Sequence, residues 1–396
     1  MLQEYAMKKW MIENRREKSV KNRCLTKNNL ILMWSTLVMN LLTLHVGMAA
    51  AAPEEKVLNV FNWSEYIGTD TIGNFEKEYG IKVHYDNFDS NEILHAKLAL
   101  RKTGYDIVVP SANWANMQIK GGLLKKIDKS KLPNLANLDP AIESQLAKLD
   151  PGNDYLVPWL WGYTTVGINA AKVKAALGNM PLPDNPWDLV FDVKYVSKLK
   201  SCGVSFLDAP SEILPPALAY VGKNPFSNTP SDYAEAEHLL LNIRSSVTLF
   251  STTGYINDLA NGGICVAIGW SGDINVARRR AIAAKNGNDI VTLLPKKGAV
   301  LSYETMAIPV DAPHPENALL WMNYIMRPEV QAGLTNKVSY ASPNLASRKF
   351  IKKDLLDDKT LFLSESDIKN MTTIQVLEPE ARRMATRVYS KFKSGL

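Results

Sequence analysis

Between Val57 and Lys120, short apolar or alternating segments are separated by amphipathic segments of about ten residues. The predicted strands are Val57–Asn62, Ile81–Phe88 and Tyr105–Pro110, and the predicted helices are Thr71–Tyr79, which ends at Gly80, Asn91–Arg101 and Asn113–Lys120. Strands that alternate with helices pair in parallel through crossover connections. The pattern therefore predicts an α/β domain whose ligand sites lie at the carboxyl ends of the strands.

A second alternating block follows a segment rich in Pro, Asn and Asp at 128–158. Its predicted strands are Tyr163–Asn169, Cys202–Leu207 and Ile264–Trp270, and its predicted helices are Glu212–Val221, Tyr233–Ile243, Thr253–Asn261 and Asp273–Asn286. Two further strands, Ile290–Leu294 and Met306–Pro309, return the chain toward the first block, and the tail from Ser364 is predicted to be helical. Two α/β lobes joined by at least two chain crossings suggest a hinged clamp with its site in the cleft.

Residues 1–52 predict an export signal. A basic stretch precedes the charge-free run Leu30–Met48, which leads into an alanine cluster at 49–52. This order is typical of a cleaved secretory signal peptide. A membrane anchor is the alternative, because about 18 apolar residues can span a bilayer, but Asn40 and His45 interrupt the run. We expect cleavage within 49–52 and a mature protein in the periplasm.

The formal net charge of +6 also originates in this segment, which holds eight basic and three acidic side chains. The rest of the chain has 38 basic and 37 acidic residues. A nearly neutral body has no bulk electrostatic attraction to nucleic acids or anionic membranes, so neither is an expected partner.

Export also determines how the three cysteines are interpreted. Cys24 lies in the export signal, which leaves Cys202 and Cys265 in an oxidising compartment. A disulfide between them is the natural interpretation, and two separate buried thiols are the alternative. A loop of about 60 residues would stabilise the fold by on the order of 4 kcal/mol. The absence of a CxxC motif and of a nearby His pair argues against a redox or zinc site.

Motifs of known enzyme classes are largely missing from the chain. HExxH, GxxxxGK[ST] and a GxGxxG after the first strand are absent, and Gly269–Asp273 (GWSGD) departs from GxSxG at its fifth position. His84, His95, His238 and His314 stand in no recognisable catalytic context. Paired carboxylates for glycoside hydrolysis stay open, because their spacing is set by the fold and not by the sequence. The expectation for the protein as a whole is that it is not an enzyme and that it has no cofactor and no metal site.

Aromatic residues recur beside carboxylates near predicted strand ends. Three such places are Trp63–Tyr66 (WSEY), Trp270–Asp273 (WSGD) and Tyr303–Glu304, and a fourth strand end is followed by the carboxylates of Asp208–Glu212 (DAPSE). Carboxylates accept hydrogen bonds from ammonium groups, and aromatic faces attract cations and cover methylene groups. An alkyl chain with a protonated amine at each end needs both. The alternative for each single pair is a helix cap beside a core aromatic.

Several longer segments carry a resemblance to a known family. They are Asn62–Ser64, Phe88–Glu92 (FDSNE), Tyr105–Ser111 (YDIVVPS), Lys198–Pro210 (KLKSCGVSFLDAP), Tyr255–Trp270 (YINDLANGGICVAIGW) and Tyr340–Ala341. Through them the chain from Val57 to Leu396 resembles the periplasmic polyamine-binding proteins of ABC transporters, particularly those that bind putrescine.

The resemblance implies a type II periplasmic-binding-protein fold. Two lobes, each a mixed, mostly parallel sheet flanked by helices, are then joined by hinge crossings and close on the ligand. Lobe 1 is expected at 53–162 and about 290–342, and lobe 2 at 163–289 and about 343–396.

The resemblance also implies the site residues. Trp63, Tyr66, Trp270 and Tyr340 resemble the family's aromatic box, Ser64 and Ser111 its polar contacts, Glu212, Asp273 and Glu304 its amine-binding carboxylates, and Cys202 and Cys265 its disulfide.

Four of the candidate ligand positions depart from the putrescine-type pattern. Members with that pattern have Asp at positions 65 and 304, Ser at 252 and an aromatic residue at 302, where this chain has Glu65, Glu304, Thr252 and Ser302. Longer carboxylate arms and a lost aromatic wall would reshape the ends of the box. Trp114 either rebuilds a wall or packs in the core of a lobe.

The expected function is capture of a small protonated diamine or polyamine and its delivery to the permease of an inner-membrane ABC transporter. Putrescine is the expected ligand, with spermidine and agmatine as alternatives, and the protein is expected to be a monomer. The competing hypotheses are an exported enzyme that acts on a cationic amine and a polyamine sensor without a transport role.

Overall fold

The computed structural model describes residues 54–395, so the predicted export signal and Cys24 lie outside the described residues. Strands β1 (Val57–Trp63), β2 (Lys82–Phe88) and β3 (Ile107–Val108) form a parallel sheet in the order β2-β1-β3. Between β1 and β2, helix α1 (Thr71–Tyr79) ends at Gly80, whose φ of 63° lies in the left-handed region that glycine favours. The predicted strand–helix–strand order is confirmed.

A larger sheet is built around one long strand. Its members are β5 (Val157–Asn169), β6 (Val204–Phe206), β7 (Leu249–Phe250), β8 (Val266–Trp270), β9 (Ile290–Leu293), β10 (Val300–Met306) and β12 (Thr372–Thr373). The order is β12-β10-β5-β8-β6-β7, and β9 also pairs with β5. Strand β5 is antiparallel to β8, β9 and β10, whereas β6 pairs in parallel with β7 and β8. This sheet is therefore mixed, because crossover connections alone would produce only parallel pairs and β5 forms three antiparallel ones.

The remaining elements flank these sheets. Strands β4 (Leu124–Lys125) and β11 (Ile308–Pro309) form an antiparallel pair. The other helices are α2 (Asn91–Ala99), α3 (Ala112–Lys120), α4 (Pro140–Leu146), α5 (Ala170–Leu177), α6 (Asp188–Phe191), α7 (Val193–Leu199), α8 (Pro210–Tyr220), α9 (Pro230–Ile243), α10 (Tyr255–Ala260), α11 (Ser271–Ala284), α12 (Pro315–Ile325), α13 (Pro328–Val338), α14 (Lys353–Leu356), α15 (Glu365–Lys369) and α16 (Pro379–Ser394). Among residues 54–395, every helix is too short or too polar to cross a membrane.

Two large hydrophobic cores lie on different parts of the chain. One combines buried residues from Leu58 to Leu160 with a return segment from Met306 to Tyr340. The other runs from Val166 to Ile290 and is completed by the C-terminal helix α16. The predicted Cys202–Cys265 disulfide is present in this second core region, where it joins the chain just before β6 to the chain just before β8.

Candidate functional site

A cavity that opens to solvent lies where several strand ends and helix starts meet, and the empty space there, including its open mouth, is about 550 Å³. It is lined by the ends of β1, β2 and β8, by the first turns of α8 and α11, and by the interiors of β5 and β10. The lining residues are Trp63, Ser64, Tyr66, Phe88, Asp89, Ser111, Gly162, Tyr163, Glu212, Thr253, Trp270, Asp273, Ser302, Glu304 and Tyr340.

Ten of the twelve candidate ligand residues line this cavity. They are Trp63, Ser64, Tyr66, Ser111, Glu212, Trp270, Asp273, Ser302, Glu304 and Tyr340. Glu65 does not line it, and its exposed side chain pairs instead with Arg280, with Oε2 2.8 Å from Nη2. Thr252 is also outside the lining, and its neighbour Thr253 takes that place.

Glu304 lies in β10, and two hydroxyl groups hold its carboxylate. Ser111 Oγ is 2.8 Å from Oε2 and 3.1 Å from Oε1, and Ser302 Oγ is 2.7 Å from Oε1. A carboxylate only accepts hydrogen bonds, so both hydroxyls donate to it. Burial raises the pKa of Glu304 to about 7, and the two hydroxyl hydrogen bonds oppose part of this rise. Asn91 supports the arrangement by donating from Nδ2 to Ser111 Oγ over 2.8 Å.

Asp273 lies in the first turn of α11 and accepts from two tyrosines. Tyr340 donates its hydroxyl to Oδ1 over 2.8 Å, and Tyr255 donates to Oδ2 over 2.9 Å. Burial raises the pKa of Asp273 to about 6, against the effect of these hydroxyls. The preceding Gly272 makes room for the tyrosine, because a Cβ there would lie 2.1 Å from Cδ2 of the Tyr340 ring.

Glu212 is the third buried carboxylate of the cavity. It lies in the first turn of α8, and Thr164 Oγ1 of β5 donates to its Oε2. Burial raises its pKa above the ordinary value. Within residues 54–395, none of Glu212, Asp273 and Glu304 forms an ion pair.

Aromatic rings form the walls between the carboxylates. The rings of Trp63 and Trp270 meet edge to face, with centroids 5.7 Å apart, and Tyr66 lies perpendicular to Tyr340 at 4.7 Å. Trp63 is fixed by its Nε1, which donates to the carbonyl of Val109 over 2.9 Å. The buried Tyr66 hydroxyl has no hydrogen-bond partner among the described residues, so it remains available to a ligand.

Five lining residues were not among the sequence candidates: Phe88, Asp89, Gly162, Tyr163 and Thr253. Phe88 and Asp89 mark the end of β2, and because β1 and β2 pair in parallel, the rule that locates sites at strand ends could have found them. Gly162 and Tyr163 lie in the middle of β5, where the sequence carries no comparable signal.

Trp114 does not line this cavity. It borders a second cavity together with Met117, Ser211 and Pro215, and its ring lies 5.6 Å from that of His95. It therefore does not replace the aromatic wall that Ser302 lacks.

Comparisons with known proteins agree with this geometry. The family model for bacterial extracellular solute-binding proteins matches residues 71–361. Over 349 residues the chain is 47% identical to the putrescine-binding periplasmic protein SpuD of Pseudomonas aeruginosa, covering 88% of this chain and 95% of that protein. It is 44% identical over 351 residues to the putrescine-binding periplasmic protein PotF of Escherichia coli, covering 88% of this chain and 95% of that one.

A solved structure gives the same result for the fold. The structure of a protein from Listeria monocytogenes, assigned to a spermidine/putrescine ABC transporter, matches with a TM-score of 0.76 at 27% identity. The match covers 86% of this chain and 99% of that chain. The predicted fold class is confirmed, as is the prediction of a solute-binding protein rather than an enzyme. By sequence and by fold, this chain belongs to the family of bacterial extracellular solute-binding proteins.

Proposed function

We propose that this protein captures a protonated diamine or polyamine and delivers it to the permease of an ABC transporter. The observation that carries the proposal is the presence of three buried carboxylates, without an ion pair among the described residues, in one cavity with aromatic walls. Buried charge is costly unless it is paired. A ligand with an ammonium group at each end supplies the missing charge.

The hydrogen-bond directions in the cavity support the same ligand class. The hydroxyls of Ser64, Ser111, Ser302 and Tyr340 each donate to a carboxylate. Their remaining lone pairs can only accept, and an ammonium group has only donors. Two of the relatives are named as putrescine-binding proteins, which also supports a polyamine ligand. Putrescine is the first choice, and spermidine and agmatine are the alternatives.

The proposal also includes a closing movement of two lobes over the bound amine. In this proposal one lobe comprises 53–162 and about 290–342, the other comprises 163–289 and about 343–396, and the two lobes close over the ligand. The presence of two large hydrophobic cores supports a division of this kind. Closure excludes water and strengthens each ion pair. The protein acts as a monomer in the periplasm after cleavage of its signal within residues 49–52.

Calorimetry on the mature protein tests the proposal. The protein is unfolded, dialysed to remove bound amines, refolded and titrated with putrescine, cadaverine, agmatine, spermidine and spermine. Saturable binding of at least one of these amines is expected. If the folded protein binds none of the five, the proposed ligand class is wrong.

A further inference from the structure

We propose that Asp89 is a positioning residue that holds the Ser64 hydroxyl as a hydrogen-bond acceptor toward the bound amine. This inference rests on the proposed function. Asp89 was not among the sequence candidates, and it lies in an exposed position at the edge of the cavity that it lines.

The parallel pairing of β1 and β2 brings the two residues together. Trp63 is the register partner of Phe88, so the next residue of each strand, Ser64 and Asp89, continues side by side. The backbone N–H of Ser64 donates to the carbonyl of Phe88 over 3.4 Å, and Asn87 Nδ2 donates to the carbonyl of Trp63 over 3.1 Å. These bonds fix the backbone on which both side chains stand.

The side-chain bond then determines the orientation of the hydroxyl. Ser64 Oγ lies 3.0 Å from Oδ1 of Asp89. A carboxylate accepts hydrogen bonds and does not donate them, so the single proton of Ser64 points to Asp89. The lone pairs that remain are available to an N–H of the ligand. Without Asp89 the hydroxyl rotates freely, and some of its orientations direct its proton at the ammonium group.

Two other pairs in the same cavity follow this pattern. Ser111 and Ser302 direct their protons to Glu304, and both pairs are buried. Glu304 itself faces the ligand, whereas Asp89 is exposed. The expected role of Asp89 is therefore to act through Ser64 rather than to hold the amine directly.

A double-mutant cycle on the full mature protein separates these roles. Putrescine, or whichever amine of the five binds most tightly, is titrated into wild type, Ser64→Ala, Asp89→Ala and the double variant; alanine is used at 89 because the amide oxygen of asparagine could still accept from Ser64. Each single variant is expected to weaken binding by about tenfold, because one hydrogen bond to a charged group is lost. The double variant is expected to bind about as weakly as Ser64→Ala alone, because Asp89 acts only through the hydroxyl.

Asp70→Asn is the matched control for the loss of a surface negative charge. Asp70 is exposed, follows Ser64 closely in the chain, and its side chain makes no hydrogen bond to the helix that it precedes. It should leave the affinity unchanged, and all variants should keep the wild-type melting temperature. The inference is overturned if Asp89→Ala binds like wild type, or if the two losses multiply to about a hundredfold, which would mean that Asp89 acts on the amine independently of Ser64. If wild type binds no amine at all, the proposed function fails and this inference fails with it.

Discussion

Ser111 and Glu304 are 193 residues apart in the chain, yet they lie opposite each other in an antiparallel β-bridge, and Ser111 Oγ is 2.8 Å from Oε2 of Glu304. The bridge joins the start of α3 to β10 and places the carboxylate inside the cavity. Neutral hydroxyl groups, and not a cation, hold it there. Among residues 54–395 this carboxylate forms no ion pair, which is what the proposed binding of a cationic ligand requires.

The first prediction concerns the pH dependence of binding. In the ligand-free protein the pKa of Glu304 is raised to about 7 and that of Asp273 to about 6. An ammonium group favours the ionised carboxylates, so binding below about pH 7 must release protons. The affinity for a diamine is therefore expected to fall as the pH is lowered through 7 and then 6.

Titration calorimetry in two buffers with different ionisation enthalpies measures the proton release directly. Glu304→Gln should remove the part of the pH dependence near 7 and leave the part near 6. An affinity that does not change across this range would show that these carboxylates are already ionised in the ligand-free protein.

The second prediction concerns the stability of the ligand-free protein. Between its ordinary pKa of 4.5 and the raised value of about 7, Glu304 binds its proton more tightly in the folded state than in the unfolded chain. Unfolding then releases protons, so the free energy of unfolding falls as the pH rises through this interval and is level above it. Asp273 acts in the same direction between 3.8 and about 6.

Thermal unfolding of wild type and Glu304→Gln across this range provides the test. Because glutamine does not titrate, the free energy of unfolding of Glu304→Gln should exceed that of wild type by a small amount near pH 4.5 and by the largest amount above pH 7. An equal difference at both ends would exclude a proton-linked contribution from this residue.

The sequence predicted the first sheet well because its signals are local. Gly80 ends α1 in a left-handed conformation, and alternating residues mark β2, so the bounds of these elements deviate by no more than a residue from those predicted. Strand β10 was missed except for its last residue. All seven of its residues are buried, including Ser302 and Glu304, so it shows neither an alternating nor an apolar pattern. The polar side chains that β10 contributes to the cavity interrupt the apolar pattern by which a buried strand is recognised in a sequence.

The start of strand β5 was also missed by the sequence prediction, for a different reason. It begins at Val157, six residues earlier than predicted, because Pro158 and the preceding loop-like composition suggested an irregular segment. All thirteen of its residues are buried, so the period-two pattern that reveals a half-exposed strand is absent. Gly162 and Tyr163 consequently could not be assigned to the site, whereas residues at strand ends such as Trp63 and Trp270 could.

The third prediction concerns the carboxylates at the site. Asp273→Ala and Glu304→Ala should each leave the fold intact and weaken amine binding by at least tenfold, about 1.4 kcal/mol, because an ammonium group taken out of water loses its partner. Asp184→Asn, at an exposed loop position, is the control for a change in net charge and should bind like wild type. If both alanine variants retain wild-type affinity in calorimetry, the amine groups lie elsewhere.

The fourth prediction concerns Gly272. A methyl group at this position would overlap the Tyr340 ring, so Gly272→Ala should displace the ring and break its hydrogen bond to Asp273. We expect at least a tenfold loss of affinity together with a lower melting temperature. Gly73→Ala is the matched control, since Gly73 also lies in a helix but has open space around its Cα, and it should be neutral or slightly stabilising. If Gly272→Ala binds the amine with wild-type affinity, the Tyr340 ring can move aside without weakening the site.

The last prediction concerns the disulfide between Cys202 and Cys265. The bond joins the segments that lead into β6 and β8, two strands that pair in parallel through Val204 and Val266. Since the strands are already neighbours in the folded sheet, the bond acts mainly by restricting the unfolded chain, over a loop of 63 residues, by on the order of 4 kcal/mol. Reduction, or the double variant Cys202→Ser/Cys265→Ser, should therefore lower the melting temperature and leave amine affinity unchanged at temperatures where the protein is folded. Both residues lie outside the cavity, so a large loss of affinity in the folded, reduced protein would show that the bond also shapes the site.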